Sequence, residues 1–287
     1  MLARLDRDAS LTRAPLWQRA VLQTGAIVRT RWLEARARMR GGPVLAPART
    51  FWGDEMRVAM PELISRTLVR RGYFEEGLTR QLIALVTPGM TFVDVGAHLG
   101  YYSLLASRLV GPGGRVLALE PAPQTLELLA HNLRECPNAT VVAAAAFSRS
   151  GPMTFNDLGL EYSAFSSYTR PRMDFPDAIC TAIEVCGVRL DDLLADAPGA
   201  PMFVKIDAES AEAQVIEGMA ATLERRRPMV SVEIGDVDLP GVVPSRQVVD
   251  QLLGLGYRVF EYGSREEPLR PHVPRERYDY DNLVFLP

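Results

Sequence analysis

The sequence predicts an α/β fold around a largely parallel sheet, and three observations carry that prediction. The first is the apolar run Thr91-Phe92-Val93-Asp94-Val95, which stops at Gly96-Ala97-His98-Leu99-Gly100. A strand buried on both faces reads as continuous apolar residues rather than as alternation. The second is the helical spacing of Leu104, Leu105, Ala106 and Leu109, ended by Gly111-Pro112-Gly113-Gly114. The third is a second apolar strand at 115–119 that finishes on Glu120. Together they form a βαβ unit with a glycine turn after its first strand and an acid after its second. That layout holds an adenosine ribose.

The turn decides the class of ligand. Gly96 and Gly100 have no Cβ, so the chain can turn tightly and a ligand can approach the backbone. The dinucleotide pattern Gly-x-Gly-x-x-Gly fails in both frames. With Gly96 in the middle the outer positions are Asp94 and Leu99, and with it first they are His98 and Tyr101. A carboxylate at Asp94 has the wrong charge to sit beside a phosphate turn and suits a cationic amine or sulfonium. S-adenosylmethionine carries both, offers a ribose diol to Glu120 and has no phosphate. The turn therefore implies that cofactor, with S-adenosylhomocysteine as product.

The remaining elements follow in order. A helix is expected at 121–133, with Leu126, Leu128, Leu129 and Leu133 on its apolar face, and a third strand at 140–146. A fourth strand at 202–206 leads into a helix whose stripe is Ala213, Ile216, Met219, Ala220 and Leu223. A fifth strand is expected at 229–234, then a helix at 245–253 stopped by Gly254-Leu255-Gly256. Segments 257–262 and 282–286 complete the count as an antiparallel pair at a sheet edge. The pattern suits a Rossmann-like, seven-stranded class I methyltransferase sheet with helices on both faces better than a six-stranded dinucleotide fold. An insertion at about 149–194 separates strands three and four and contains short alternating pieces such as Met153-Thr154-Phe155. Long loops at the carboxyl ends of strands choose substrates. Tyr162, Ser163 and Ser166, with Asn156, Ser167 and Tyr168, suit a hydroxylated ring, whereas Arg170 and Arg172 read as surface charges.

A chain of 287 residues with 47% hydrophobic content buries a full core, and its net charge of −3 gives no overall nucleic-acid or membrane bias. The first fifty residues differ, with ten arginines against Asp6, Asp8 and Glu34. Residues 16–40 read as helical, mixing Trp17, Val21, Ile27, Val28, Trp32 and Leu33 with arginines. Gly41-Gly42-Pro43 then breaks into an extended stretch reaching about Phe51. Residues 1–70 are expected to be an Arg-rich helical extension: a surface helix, a lid, a dimer arm or a platform for an anionic partner such as a carrier protein or nucleotide sugar. Residues 71–287 are expected to form a class I methyltransferase domain containing that insertion. Cys136, Cys180 and Cys186 have no metal-ligand spacing and read as buried thiols. No apolar run approaches the ~20 residues of a membrane span and no signal-peptide pattern opens the chain, so a soluble, cytoplasmic protein is expected.

The second constellation is Phe203-Val204-Lys205-Ile206-Asp207-Ala208-Glu209, which contains the chain's one lysine. Strand alternation points Lys205, Asp207 and Glu209 the same way, with Asp207 at the strand's carboxyl end. Asp207 is expected to face the reacting methyl. Lys205 lies deeper, paired with a carboxylate or with backbone carbonyls, as a functional group or as a buried ion pair fixing the strand end.

At this point the chain resembles the FkbM family of S-adenosylmethionine-dependent methyltransferases, over roughly residues 70–287. The ordered motifs are Gly72-Tyr73-Phe74-Glu75-Glu76, Val93 to Tyr102, Leu119-Glu120-Pro121, Val188-Arg189-Leu190-Asp191-Asp192-Leu193, Lys205-Ile206-Asp207-Ala208-Glu209 and Val232-Glu233-Ile234. The resemblance implies O-methylation of a hydroxyl on a sugar or secondary metabolite, with glycosylated and carrier-bound acceptors among the expected forms. It assigns Glu75, Asp94, Gly96, Ala97, His98, Gly100, Glu120 and Pro121 to the cofactor. Asp207 is the first choice of base or hydroxyl-orienting group, then Glu209 and Glu233, with Lys205 in support. His98 is expected to space the turn rather than act as a base, His131 to be exposed, and His272 to come within reach of the cleft. Two departures stand out. Ser210 replaces the usual glycine, where it is expected to cap the next helix, and Gly235 replaces a frequent histidine. Asp207, Glu209 and Glu233 are able to hold Mg²⁺, but no second acidic cluster supports it and no metal ligand is assigned. The other readings are a methyltransferase acting on RNA or protein, and a nonenzymatic adenosine-ligand sensor of the same fold. A homodimer stays open.

Overall fold

The computed structural model describes residues 1–15, 24–169, 179–197, 199–237 and 239–287. The first residues of the expected N-terminal helix, with Trp17 and Val21, and the insertion's Arg170 and Arg172 lie outside the described residues. The chain opens with α1 (Leu2–Arg13) and α2 (Thr24–Arg40). An antiparallel hairpin follows, β1 (Val44–Arg49) with β2 (Glu55–Met60), then α3 (Leu63–Arg71). The 1–70 segment is thus not purely helical. Val44, Ala46 and Ala48 alternate inward with exposed neighbours, a period of two that a helix does not satisfy. The Glu62 carboxylate caps α3 by accepting from the N–H groups of Ile64 at 2.7 Å and Ser65 at 2.6 Å.

The α/β core follows as α4 (Glu76–Leu85), β3 (Thr91–Val95), α5 (Tyr101–Val110), β4 (Arg115–Leu119), α6 (Pro123–Leu133) and β5 (Ala139–Val142). The insertion contributes β6 (Ala145–Ala146), β7 (Gly151–Asp157) and β8 (Thr181–Val188), before α7 (Leu190–Leu193). The chain then forms β9 (Met202–Ile206), α8 (Glu212–Gly218), α9 (Ala220–Arg226), β10 (Met229–Ile234), α10 (Ser245–Gly254), β11 (Arg258–Glu261), β12 (Arg270–Pro271) and β13 (Asp281–Leu286).

The main sheet has the order β12-β11-β13-β10-β9-β3-β4-β5, parallel from β10 to β5. The expected antiparallel pair is β11 with β13, and the two-residue β12 adds an eighth strand outside it. The expected third strand divides instead: β5 stays in the main sheet, while β6 pairs with β8 in a separate sheet of order β6-β8-β7. The expected single helix after β9 also divides, at Met219. Gly218 precedes the break, where an added Cβ would lie 2.0 Å from the Phe147 carbonyl.

Alternation along each strand sorts residues into two cores, one per face. Phe92, Val116, Ala118 and Phe203 pack on one side. Val93, Val95, Leu117, Leu119, Val204 and Ile206 pack on the other. The N-terminal segment joins the first core, with Leu5, Val58 and Leu68 buried beside Leu82, Phe92 and Leu105. The cysteines are free, and none is fully buried as expected: Cys136 and Cys180 are intermediate and Cys186 is exposed, because β8 turns it outward. No helix among the described residues is long and apolar enough to cross a membrane.

The sheet order reverses between β3 and β9. Chain direction leads from β3 through β4 to β5 on one side and from β9 to β10 on the other. A crevice opens at the carboxyl ends of strands at such a switch point.

Candidate active site

A cavity of about 480 Å³ occupies that crevice. Its floor residues come from the strand ends: Val95 and Gly96 after β3, Glu120 and Pro121 after β4, Asp207 to Glu209 after β9, and Glu233 from β10. Leu63, Ile64 and Thr67 of α3 form one wall, and Phe155, Phe165 and Tyr168 of the insertion form another. Glu75, Glu120, Asp207, Glu209 and Glu233 all line it, and no lysine or arginine does among the described residues. The cavity is therefore an apolar chamber with an acidic floor, suited to a cationic ligand.

Beneath the floor lies Lys205, 2% exposed. Parallel pairing sets Asp94 beside Lys205 in register and Ser231 on its other side. The Lys205 ammonium lies 3.5 Å from Asp94 Oδ1, 3.0 Å from Asp207 Oδ2 and 5.2 Å from the centroid of the Tyr102 ring. Burial alone would lower the ammonium's pKa, but Asp207 and Asp94 together raise it, so the charge persists. Ser103 donates to Asp94 Oδ2 at 2.6 Å. Asp94 is fully buried and absent from the cavity lining, so it holds the lysine rather than meeting a ligand as expected.

Glu75 stands at the N-cap of α4 with φ 37°. It accepts from Tyr102 at 2.6 Å, from Asn282 Nδ2 at 2.9 Å and from the Tyr280 hydroxyl. Burial, reinforced by the charge of Asp207, raises its pKa. Glu120 is held in place by the His98 N–H at 3.0 Å and the Ala122 N–H at 2.9 Å, one to each oxygen. Its remaining lone pairs are left for hydroxyl donors. Burial pushes its carboxyl up to about 7. His98 itself is lowered by burial and hence neutral, and its Nε2 lies 2.7 Å from Ser163 Oγ, tying the turn to the insertion.

The turns are held in unusual backbone conformations. Gly96 has φ 70°, and an added Cβ would lie 1.9 Å from the Asp207 carbonyl oxygen, so only glycine lets the turns after β3 and β9 meet. Glu209 and Ser210 have φ 46° and 78°. Ser210 does not cap α8 as expected. The N-cap is Ala211 without a side-chain bond, and the Glu212 carboxylate instead accepts from the Ala208 and Ser210 N–H groups at 3.2 Å each. A left-handed residue at 210 explains why glycine suits that position.

Of the sequence-predicted residues, the cavity gathers Glu75, Gly96, His98, Glu120, Pro121, Ser163, Ser166, Asp207, Glu209 and Glu233. Asp94, Ala97, Gly100, Lys205 and Tyr162 do not line it. Gly100 instead makes room for Leu129, which an added Cβ would approach to 2.7 Å. His272 does not reach the cleft: it is buried against Glu261 at 2.6 Å and Tyr278 at 3.1 Å at the sheet edge. His131 is half-buried on α6 rather than exposed. Asp207, Glu209 and Glu233 bring carboxylate oxygens within 4.8 Å of one another, a spacing compatible with a hard divalent cation. Sequence reasoning missed Tyr280 and the α3 wall. Tyr280 carries no motif, and α3 lines the cavity only because the N-terminal segment folds back onto the core.

Residues 94–259 match the Methyltransferase FkbM domain family. A protein-L-isoaspartate O-methyltransferase of Aeropyrum pernix is 41% identical over 61 residues, which is 21% of this chain and 24% of that protein. One of Triticum aestivum is 27% identical over 141 residues, 46% of this chain and 53% of that protein. The chain thus spans about a quarter and about half of these curated relatives. A crystal structure of methyltransferase FkbM from Methylobacillus flagellatus KT is 19% identical, with a TM-score of 0.43, covering 77% of this chain and 54% of that one.

Replacing Lys205 by Met should cost about 3–5 kcal/mol of stability near pH 7, because it strands a buried carboxylate. Without the cation, burial holds the folded-state pKa of Asp94 above its unfolded value. The folded chain then binds the proton more tightly, so the loss is largest at high pH and shrinks as pH falls through the raised pKa. Urea unfolding at neutral and mildly acidic pH measures both. A loss below about 1 kcal/mol, the range of exposed pairs, would mean the ion pair does not hold the strands.

Proposed function

The chain belongs to the Methyltransferase FkbM domain family, and from that premise we propose that it is an S-adenosylmethionine-dependent O-methyltransferase acting on a hydroxyl of a small-molecule acceptor, a sugar or secondary metabolite. One observation carries the reading: five carboxylates line the cavity at the switch point, and no lysine or arginine does among the described residues. That charge favours a ligand with ammonium and sulfonium groups and disfavours a pyrophosphate. The residues fit the cofactor. Glu120 would accept hydrogen bonds from the ribose hydroxyls, the Gly96–Gly100 turn would let the adenosyl group approach the backbone, and Glu75 would hold the amine.

When bound, S-adenosylmethionine supplies an electrophilic methyl group on sulfur. The chain's part is to orient the acceptor oxygen behind that carbon, on the axis of the departing sulfur. Holding such geometry contributes up to about 7–11 kcal/mol in the best-oriented cases. Asp207 lines the cavity with Oδ2 held by Lys205 at 3.0 Å, and Oδ1 is the oxygen proposed to meet the acceptor hydroxyl. It accepts the hydroxyl proton as the oxygen attacks, with Glu209 and Glu233 completing the acidic floor. The convergence of these three carboxylates also suits Mg²⁺, but the Lys205 ammonium already supplies a cation beside Asp207. Direct proton transfer is the mechanism proposed.

Two relatives are named as protein-L-isoaspartate O-methyltransferases. An anionic group at the reacting position would be repelled by this floor, as would an RNA backbone, so a neutral hydroxyl suits it better.

Asp207→Asn should lower turnover by about 10²–10⁴-fold while changing cofactor affinity only a few-fold. Single-turnover methylation and equilibrium binding measure the two, and near-normal turnover would remove Asp207 from the chemistry. A second expectation concerns pH. Hydroxyl donors favour the ionised form of Glu120, whose pKa in the free protein is about 7. Binding should therefore release a proton below that value, so affinity for S-adenosylhomocysteine rises toward neutral pH and is flat above it. Calorimetry in buffers of different ionisation enthalpy reads the proton directly. Affinity independent of pH across that window would detach Glu120 from the ribose.

A further inference from the structure

The arginines of the N-terminal segment form a second site. Ile27, Arg31, Glu34 and Arg38 recur at helical spacing on one face of α2, opposite Arg66 and Arg70 of α3. With Thr30 they line a groove of about 360 Å³ between the two helices. Glu34 pairs with Arg66 at 2.8 Å. Arg31, Arg38 and Arg70 have no carboxylate partner among the described residues. Four guanidiniums and one carboxylate leave a net charge of +3 in one groove. Like charges four residues apart on a helix repel, so the arrangement is relieved by an anion of two or more charges.

The groove and the active-site cavity share α3 as a lining helix. Leu63, Ile64 and Thr67 of that helix line the acidic cavity, and Arg66 and Arg70 line the basic groove. Leu63, Arg66, Thr67 and Arg70 stand at i, i+3, i+4 and i+7, so the two linings are neighbours on one face of α3. A phosphate group excluded from the cavity by its carboxylates finds the guanidinium forks beside it along α3, where bidentate contacts select phosphate oxygens.

We propose that this groove is a phosphate subsite for the acceptor. It takes the phosphate or diphosphate ester group of a phosphorylated small molecule whose neutral hydroxyl enters the cavity. The assignment to the acceptor rests on reading the cavity as the methyl-transfer site.

The test is calorimetric titration of the full chain at low ionic strength with inorganic pyrophosphate and, separately, with S-adenosylhomocysteine. The same titrations are run on the triple variant Arg31→Gln/Arg38→Gln/Arg70→Gln. The wild type should bind pyrophosphate and the variant at least about tenfold more weakly, with equal affinity of both for S-adenosylhomocysteine. The variant's thermal midpoint without anion should be no lower than that of the wild type, because the substitutions remove repulsion between surface side chains. Equal pyrophosphate affinity in both proteins, or none in either, would overturn the subsite. Cosedimentation with phosphatidylglycerol vesicles, lost in the variant and without pyrophosphate binding, would also overturn it by assigning the arginines to a lipid surface. Pyrophosphate binding without any S-adenosylhomocysteine binding would bring down the reading of the cavity, and with it the acceptor assignment, while leaving the groove's affinity for phosphate intact.

Discussion

The site depends on one buried cation. Lys205 sits where the sheet reverses direction, and its ammonium reaches Asp94 on the neighbouring strand and Asp207 at the end of its own. A charge 2% exposed is tolerable in an apolar sheet only when carboxylates surround it. That requirement fixes the side chains of two strands and aims Asp207 upward into the cavity. Tyr102 extends the network, placing its ring beside the ammonium and its hydroxyl on Glu75, which Tyr280 and Asn282 hold from the opposite side. One ion pair thereby links β3, β9, α5, the start of α4 and β13.

Strain collects around the same point. Among the described residues, the non-glycine residues with positive φ are Glu75, His98, Glu209, Ser210 and Arg227, and the first four stand in or beside the cavity. Such conformations persist only where surrounding bonds over-determine them. Here those bonds are visible: the His98 N–H on Glu120, the Ser210 N–H on Glu212 and three donors on Glu75. The turns are shaped by what they must present, and the fold absorbs the cost.

Much of this was readable from local chemistry. The glycine turn, the acid ending β4 and the alternation through Lys205 and Asp207 each express a rule spanning a few residues, and β3, α5, β4, β9 and β10 fall where those rules put them. The misreadings share a different cause. Asp94 carries the charge a cationic ligand wants, but register with Lys205, a contact across 111 positions of chain, turns it into an internal partner. The 140–146 run divides because β8, some forty residues later, takes its second half. His272, expected within reach of the cleft, is held at the sheet edge by Glu261 and Tyr278. Tyr280 and α3 reach the cavity only through tertiary folding. Long-range partners decide these positions, and no local window contains them.

An acidic floor beside a glycine turn favours a sulfonium cofactor over a phosphate-bearing one. The most direct measurement is calorimetric titration with S-adenosylmethionine, S-adenosylhomocysteine and NAD⁺, on the wild type and on Glu120→Ala. Binding of the two adenosyl ligands alone, weakened by the substitution, is the predicted result. Binding of NAD⁺, or of none of the three, would contradict it.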